Sequence, residues 1–160
     1  MTINIELYTQ VTAFINMEAD MLDHKEYQDW LDLWTETGLY IIPVDANSQN
    51  YKDNLNIAYD DTTMRKMRVE RLQSGYAVST KEAKMTVRTL SRIRILEENE
   101  EEVLVRCAYC VFENKKNDLR SFPADVEYTL KRQKSGLKIE QKVVKILKAD
   151  EYLTTIAYLF

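Results

Sequence analysis

Histidine occurs once in these 160 residues, at His24, and that count excludes more chemistry than any other feature of the chain. An iron–sulfur centre held by two histidines and two cysteines, or a mononuclear iron held by two histidines and a carboxylate, cannot be built from this chain alone. The Cys/His pattern of a zinc finger is excluded on the same ground. Glycine is nearly as scarce: Gly38, Gly75 and Gly136 are unclustered, so no phosphate-cradling loop or dinucleotide fingerprint can be drawn. The only two cysteines, Cys107 and Cys110, have the spacing of a redox dithiol, but they lie in VLVRCAYCVF. That run reads as a strand, which sends residues three apart to opposite faces, whereas a reactive dithiol wants its first cysteine at a helix N-terminus. Two small packing thiols suit a reducing compartment. No apolar run approaches the ~18 to 20 residues of a membrane span, and MTINIELY lacks the regions of a secretory signal, so the expected location is cytoplasmic. Basic charge is not in excess either: a net charge of −4 and a pI near 5.2 argue against a general nucleic-acid or anionic-membrane binder.

What is present is an ordinary globular balance, 45% hydrophobic and 30% charged, which predicts one domain over residues 1–160. Leu7, Val11, Phe14, Ile15, Glu18, Met21 and Leu22 recur at steps of three and four, predicting a first helix over 5–24 with Glu18 as the polar exception on its apolar face. Tyr27, Trp30, Leu31 and Trp34 predict a second helix over 25–35, ended by Gly38, and a strand from there through Val44. DANSQNYKDN, 45–54, reads as an exposed loop, and 55–59 as a short strand. Asp60, Asp61 and Thr62 offer capping oxygens to a third helix ending near Ser74, before Gly75. Four antiparallel strands are then expected at 85–96, 103–113, 121–132 and 138–147. Helices followed by a long meander predict an α+β layer, with about three N-terminal helices covering one face of a strongly curved, mainly antiparallel sheet.

The stretch EADMLDHKEYQDWLDLWTETGLYIIP resembles the small (beta) subunit of aromatic-ring-hydroxylating dioxygenases. The matching residues are Glu18, Ala19, Leu22, Asp23, Tyr27, Trp30, Leu31, Tyr40 and Pro43. The likeness continues in IAYDDTTMRKMRVERL, at Tyr59, Asp60, Asp61, Arg68, Arg71 and Leu72, and in the apolar segment LTTIAYLF, 153–160. The segment 80–91 departs from it, with only Thr86 and Ser91 fitting the family's pattern. The resemblance implies a cone-shaped fold of the nuclear-transport-factor-2-like (NTF2-like) class. It also implies an assembly role without a catalytic residue, cofactor or metal on this chain. A separate catalytic alpha subunit would carry the Rieske iron–sulfur cluster and the mononuclear iron, and this chain would self-associate as a trimer.

Two sets of residues follow as candidates. Subunit contacts are expected at Asp60, Asp61, Arg65, Arg68 and Arg71, because charged pairs and large side chains anchor interfaces. The alternative is a pocket enzyme of isomerase or dehydratase type, or a small-ligand binder, using a Tyr/Asp pair in the cone: Tyr40 with Asp60 or Asp125. The cone is more simply filled, by Phe14, Met17, Trp30, Tyr40, Tyr109, Phe112 and Tyr128. His24 is expected to serve the C-terminal end of the first helix, with Asp20 four residues back within reach.

Overall fold

The computed structural model describes residues 2–74, 85–115, 117–147 and 159–160. The expected helix stop at Gly75, residues 80–84 of the departing segment, Lys116 in the expected loop, and most of 153–160 lie outside the described residues. The chain runs α1 (Ile5–Asp23), α2 (Tyr27–Leu31), β1 (Trp34–Pro43), β2 (Asn56–Asp60), α3 (Thr62–Gln73), β3 (Met85–Glu98), β4 (Glu102–Lys115), β5 (Asp118–Gln133) and β6 (Gly136–Ile146). Among the described residues one sheet takes six strands in the order β2-β1-β6-β5-β4-β3; β1 pairs with β6 in parallel and the other neighbours pair antiparallel.

Local chemistry fixes the helix ends. The Asn4 side chain accepts the Leu7 amide at 3.1 Å to start α1, and Asp61 accepts the Met64 amide at 2.9 Å to start α3. His24 is the C-cap of α1, its ring Nδ1 lying 2.9 Å from the Asp20 carbonyl and 3.3 Å from the Asp20 carboxylate. Those contacts raise its pKa, the carbonyl hydrogen bond first and the Asp20 charge second.

The second helix is much shorter than its apolar spacing predicts. It ends at Leu31, and the strand begins at Trp34 rather than at Gly38. The cause is pairing: the Leu33 carbonyl takes the Ile139 amide at 2.8 Å and Trp34 lies opposite Ile139, so the backbone groups of a further helical turn are already committed to β6. Gly38 therefore sits inside β1. A Cβ there would fall 2.9 Å from the Ile139 carbonyl oxygen and 2.9 Å from the Trp34 ring, which explains the absence of a side chain where β1 shifts register against β6.

The long strands alternate cleanly. Val103, Val105, Cys107, Tyr109 and Val111 of β4 and Phe122, Ala124, Val126, Tyr128 and Leu130 of β5 are buried toward α1. Cys110 lies on the opposite face from Cys107, and both thiols are free. Of the residues expected to fill the cone, Phe14, Trp30, Tyr40, Tyr109 and Tyr128 do so. Met17 does not, being 42% exposed, and Phe112 shares the outer face with Cys110 and is only half-buried. Each fully buried large apolar side chain contributes about 1.5–3 kcal/mol. Leu159 and Phe160 also lie in this core, and the Phe160 ring meets Phe122 edge-on at 6.2 Å.

Candidate functional site: a buried polar hub and the α3 surface

Strand register brings one row of polar side chains to the inner face: Asp60 of β2 lies opposite Tyr40 of β1, Tyr40 opposite Lys142 of β6, and Lys142 opposite Tyr128 of β5. Glu18, the polar exception on α1, reaches into this row. It accepts from Lys142 Nζ at 2.7 Å, the Tyr128 hydroxyl at 2.7 Å and the Trp30 indole at 3.1 Å. All four residues are fully buried. Lys142 donates a further bond to the Phe160 carbonyl at 2.5 Å, and the Tyr40 hydroxyl accepts the Phe160 amide at 2.8 Å. Burial lowers the Lys142 pKa, an effect that the Glu18 charge opposes.

A second buried pair closes the far end of α1. Asp23 takes the Arg88 guanidinium at 2.5 Å, the Arg88 amide at 2.8 Å and the Thr86 hydroxyl at 3.0 Å. Arg88 Nη2 also donates to the Leu159 carbonyl. Sequence reasoning missed Lys142 and Arg88. Strand parity marks Lys142, which shares a face with Val144 and Ile146. It hides Arg88, because Met85 and Val87 are the apolar residues there and face outward, at 70% and 55% exposed. A register shift between Ser91 and Arg94, with Arg92 at φ 57°, then realigns β3 so that Ile93 and Ile95 pack against the core.

Tyr40 and Asp60 are brought together as the sequence suggested, but each has other partners. Asp60 is clasped by Arg68 at 2.6 and 3.0 Å. Asp125 is not brought to Tyr40: it lies on the outer face between buried Ala124 and Val126, and pairs with exposed Arg92 at 2.6 Å. Among the contact candidates, Arg65 is buried, stacked 4.1 Å over Trp34 and bonded to the carbonyls of Gly38 and Asp60 and to the Thr62 hydroxyl. Desolvation lowers its pKa to about 10. Arg68 is half-buried in its Asp60 pair, while Asp61 and Arg71 are at the surface. The surface of α3 also exposes Met64 and Met67, each 47% exposed, which the sequence reading did not single out.

Residues 17–150, which include both buried pairs, match the ring hydroxylating beta subunit family. The chain belongs to that family. Its function is that of a beta subunit of an aromatic-ring-hydroxylating dioxygenase. This beta subunit is 29% identical over 136 residues to the small oxygenase component of the p-cumate 2,3-dioxygenase system of Pseudomonas putida, covering 84% of this chain and 76% of that one. Its fold is similar to the beta subunit of the benzoate 1,2-dioxygenase of Burkholderia mallei, with TM-score 0.79, 19% identity and 99% of each chain covered. An NTF2-like protein of Novosphingobium aromaticivorans aligns with TM-score 0.65 and 13% identity over 95% of this chain and 91% of that one. The cone is thus NTF2-like, as its helices and curved sheet led one to expect.

Burial of this beta subunit's ionisable core groups predicts alkaline sensitivity. Burial pushes the Cys107 thiol from 9.0 up to about 12 and moves Tyr40, Tyr109 and Tyr128 well above 10. Acids whose folded pKa is raised contribute stability that is complete below the unfolded pKa and is lost as pH rises through it. By pH 10 the loss from Cys107 is on the order of 1 kcal/mol, and each tyrosine adds a smaller loss that grows as pH rises further. Lys142, with its lowered pKa, acts in the opposite direction. Comparing the chain with Cys107→Ala isolates the thiol: urea unfolding at pH 7.5 and pH 10 is expected to show a pH-dependent loss smaller in the variant by an amount on the order of 1 kcal/mol.

Proposed function

We propose that this chain, a single domain of the cytoplasm, is the non-catalytic assembly subunit of its dioxygenase. It associates as a trimer and carries separate alpha subunits that hold the Rieske cluster and the mononuclear iron. The observation that carries this reading is the family match over residues 17–150 in a chain with one histidine. That histidine is engaged by Asp20 at a helix end. Two outward apolar areas support it: Met64 and Met67 beside Asp61, Arg68 and Arg71 on α3, and Met85, Val87 and Leu119 on the outer sheet face, where Leu119 is 70% exposed. Exposed apolar groups rimmed by charge are the composition of a subunit contact.

The test is affinity purification of this chain from its native host, followed by size-exclusion chromatography and a visible spectrum of what is retained. The reading expects a complex several times the mass of this chain, bearing iron–sulfur absorbance. It expects Met67→Glu or Val87→Glu to dissociate a subunit while the melting temperature of the isolated chain is unchanged. A colourless chain that retains no large partner overturns it.

A further inference from the structure

On the outer face of the sheet, toward the turn that joins β3 to β4, positive charge collects in a chain whose net charge is −4. Arg94 lies directly opposite Arg106, and both point outward, since Val105 and Cys107 belong to the core and Ile93 and Ile95 pack against it. The register shift between Ser91 and Arg94 turns Arg92 outward as well, where it reaches Asp125 of β5 at 2.6 Å. Lys145 of β6 takes Glu127 at 2.8 Å. Both nearby carboxylates are thus occupied, and among the described residues Arg94 and Arg106 have no ion pair. Like charges directly opposite across two strands are destabilising, and no described group of the chain offsets these two. Beside Arg92 and Arg106 the face dips into an open depression of about 520 Å³ over Ser91, Ala108 and Cys110.

The matching excess of negative charge sits on the adjoining turn, where five glutamates surround Asn99. Glu98 pairs with Arg132 at 2.7 Å and Glu102 with Lys131 at 2.9 Å, while Glu97, Glu100 and Glu101 are exposed and, among the described residues, have no ion pair. The turn is fixed from within. The Asn99 amide donates to the Glu102 carbonyl at 3.0 Å, and the Asn99 side-chain oxygen accepts the amides of Glu101 and Glu102 at 2.8 and 2.9 Å. A preformed turn loses little entropy on docking. Strand pairing also runs out to Glu98 opposite Val103, so the turn cannot fold back onto its own arginines. We propose that the patch of Arg92, Arg94 and Arg106 receives the acidic turn 97–101 of a second copy of this chain, and that this contact joins the copies of the trimer. Two patches face to face would oppose arginine to arginine. Patch and turn are different surfaces, so their contact is heterologous, the kind that closes a ring. The inference rests on the assembly reading above and deepens it by naming the surfaces.

The experiment is sedimentation velocity of the purified full chain in about 50 mM and about 500 mM NaCl, where screening of surface charge differs strongly. It is repeated on Arg94→Glu/Arg106→Glu, on Glu97→Lys/Glu100→Lys/Glu101→Lys, and on a chain carrying all five substitutions. The unmodified chain is expected to form a trimer that associates at least tenfold more weakly in the high salt. Each partial reversal is expected to give a monomer that still melts cooperatively, and the full exchange of charge is expected to restore the trimer. Should Arg94→Glu/Arg106→Glu lose its cooperative melt, the turn variant and the salt response of the unmodified chain decide. A trimer indifferent to salt and to both reversals overturns the proposal and leaves the assembly reading standing. Reversals that dissociate the copies without rescue by the full exchange overturn the pairing of these two surfaces. A chain that is monomeric by itself overturns the proposal too; the iron–sulfur absorbance of what it retains from its host then decides the assembly reading separately.

Discussion

Lys142→Met is expected to lower the unfolding free energy by about 3–5 kcal/mol and the melting temperature by roughly 10 °C or more. Methionine keeps much of the length and apolar volume of lysine, so the cost comes from charge rather than from a cavity. Glu18 would stay fully buried with only the Trp30 and Tyr128 donors, and the Phe160 carbonyl would lose its ammonium. A buried ion pair adds little net stability, because each charge is expensive to desolvate, but removing one partner leaves that expense uncompensated. The double variant Glu18→Gln/Lys142→Met is therefore expected to be more stable than Lys142→Met alone, since a neutral amide still accepts from Trp30 and Tyr128. Urea unfolding of the two singles and the double measures the coupling; a double variant no better than the sum of its parts would show that the pair is not coupled.

Much of this hub was legible before the structure, though not as a hub. Glu18, Trp30 and Tyr40 stood out through the family pattern, and Glu18 was marked as a carboxylate on an otherwise apolar helix face. Its partners come from strands more than 100 residues away, at Tyr128 and Lys142, and no local periodicity joins them. The four long strands could be read because their β-branched runs alternate with period two and their turns are short. The docking of β1 parallel to β6 could not, and it also decided where α2 ends, since the Leu33 carbonyl accepts from Ile139. Helical spacing at Tyr27, Trp30, Leu31 and Trp34 was real, but tertiary pairing outweighed it at the last of these. Among the contact candidates, Arg65 reads as a surface charge in sequence because nothing local reports the Trp34 ring that covers it.

The Arg88–Asp23 pair predicts an ordering that simple charge counting does not. Asp23 has two donors besides the guanidinium, the Arg88 amide and the Thr86 hydroxyl, and its side chain keeps 15% exposure. In Arg88→Met those two bonds persist, so the carboxylate is left with partial compensation, and the expected cost is about 2–3 kcal/mol. Asp23→Asn is expected to cost more, about 3–5 kcal/mol, because the Arg88 side chain is only 2% exposed and would hold a full charge against neutral acceptors. Arginine cannot shed its proton to escape, unlike a buried lysine. The double variant Asp23→Asn/Arg88→Met is then expected to recover most of the difference, returning close to Arg88→Met. Chemical denaturation of the three variants tests the order, and Asp23→Asn proving milder than Arg88→Met would overturn it. Amide exchange adds a local check. Loss of Arg88 removes the donor on the Leu159 carbonyl as well as one tie on the end of α1, so protection at Phe160 and at His24 is expected to fall together.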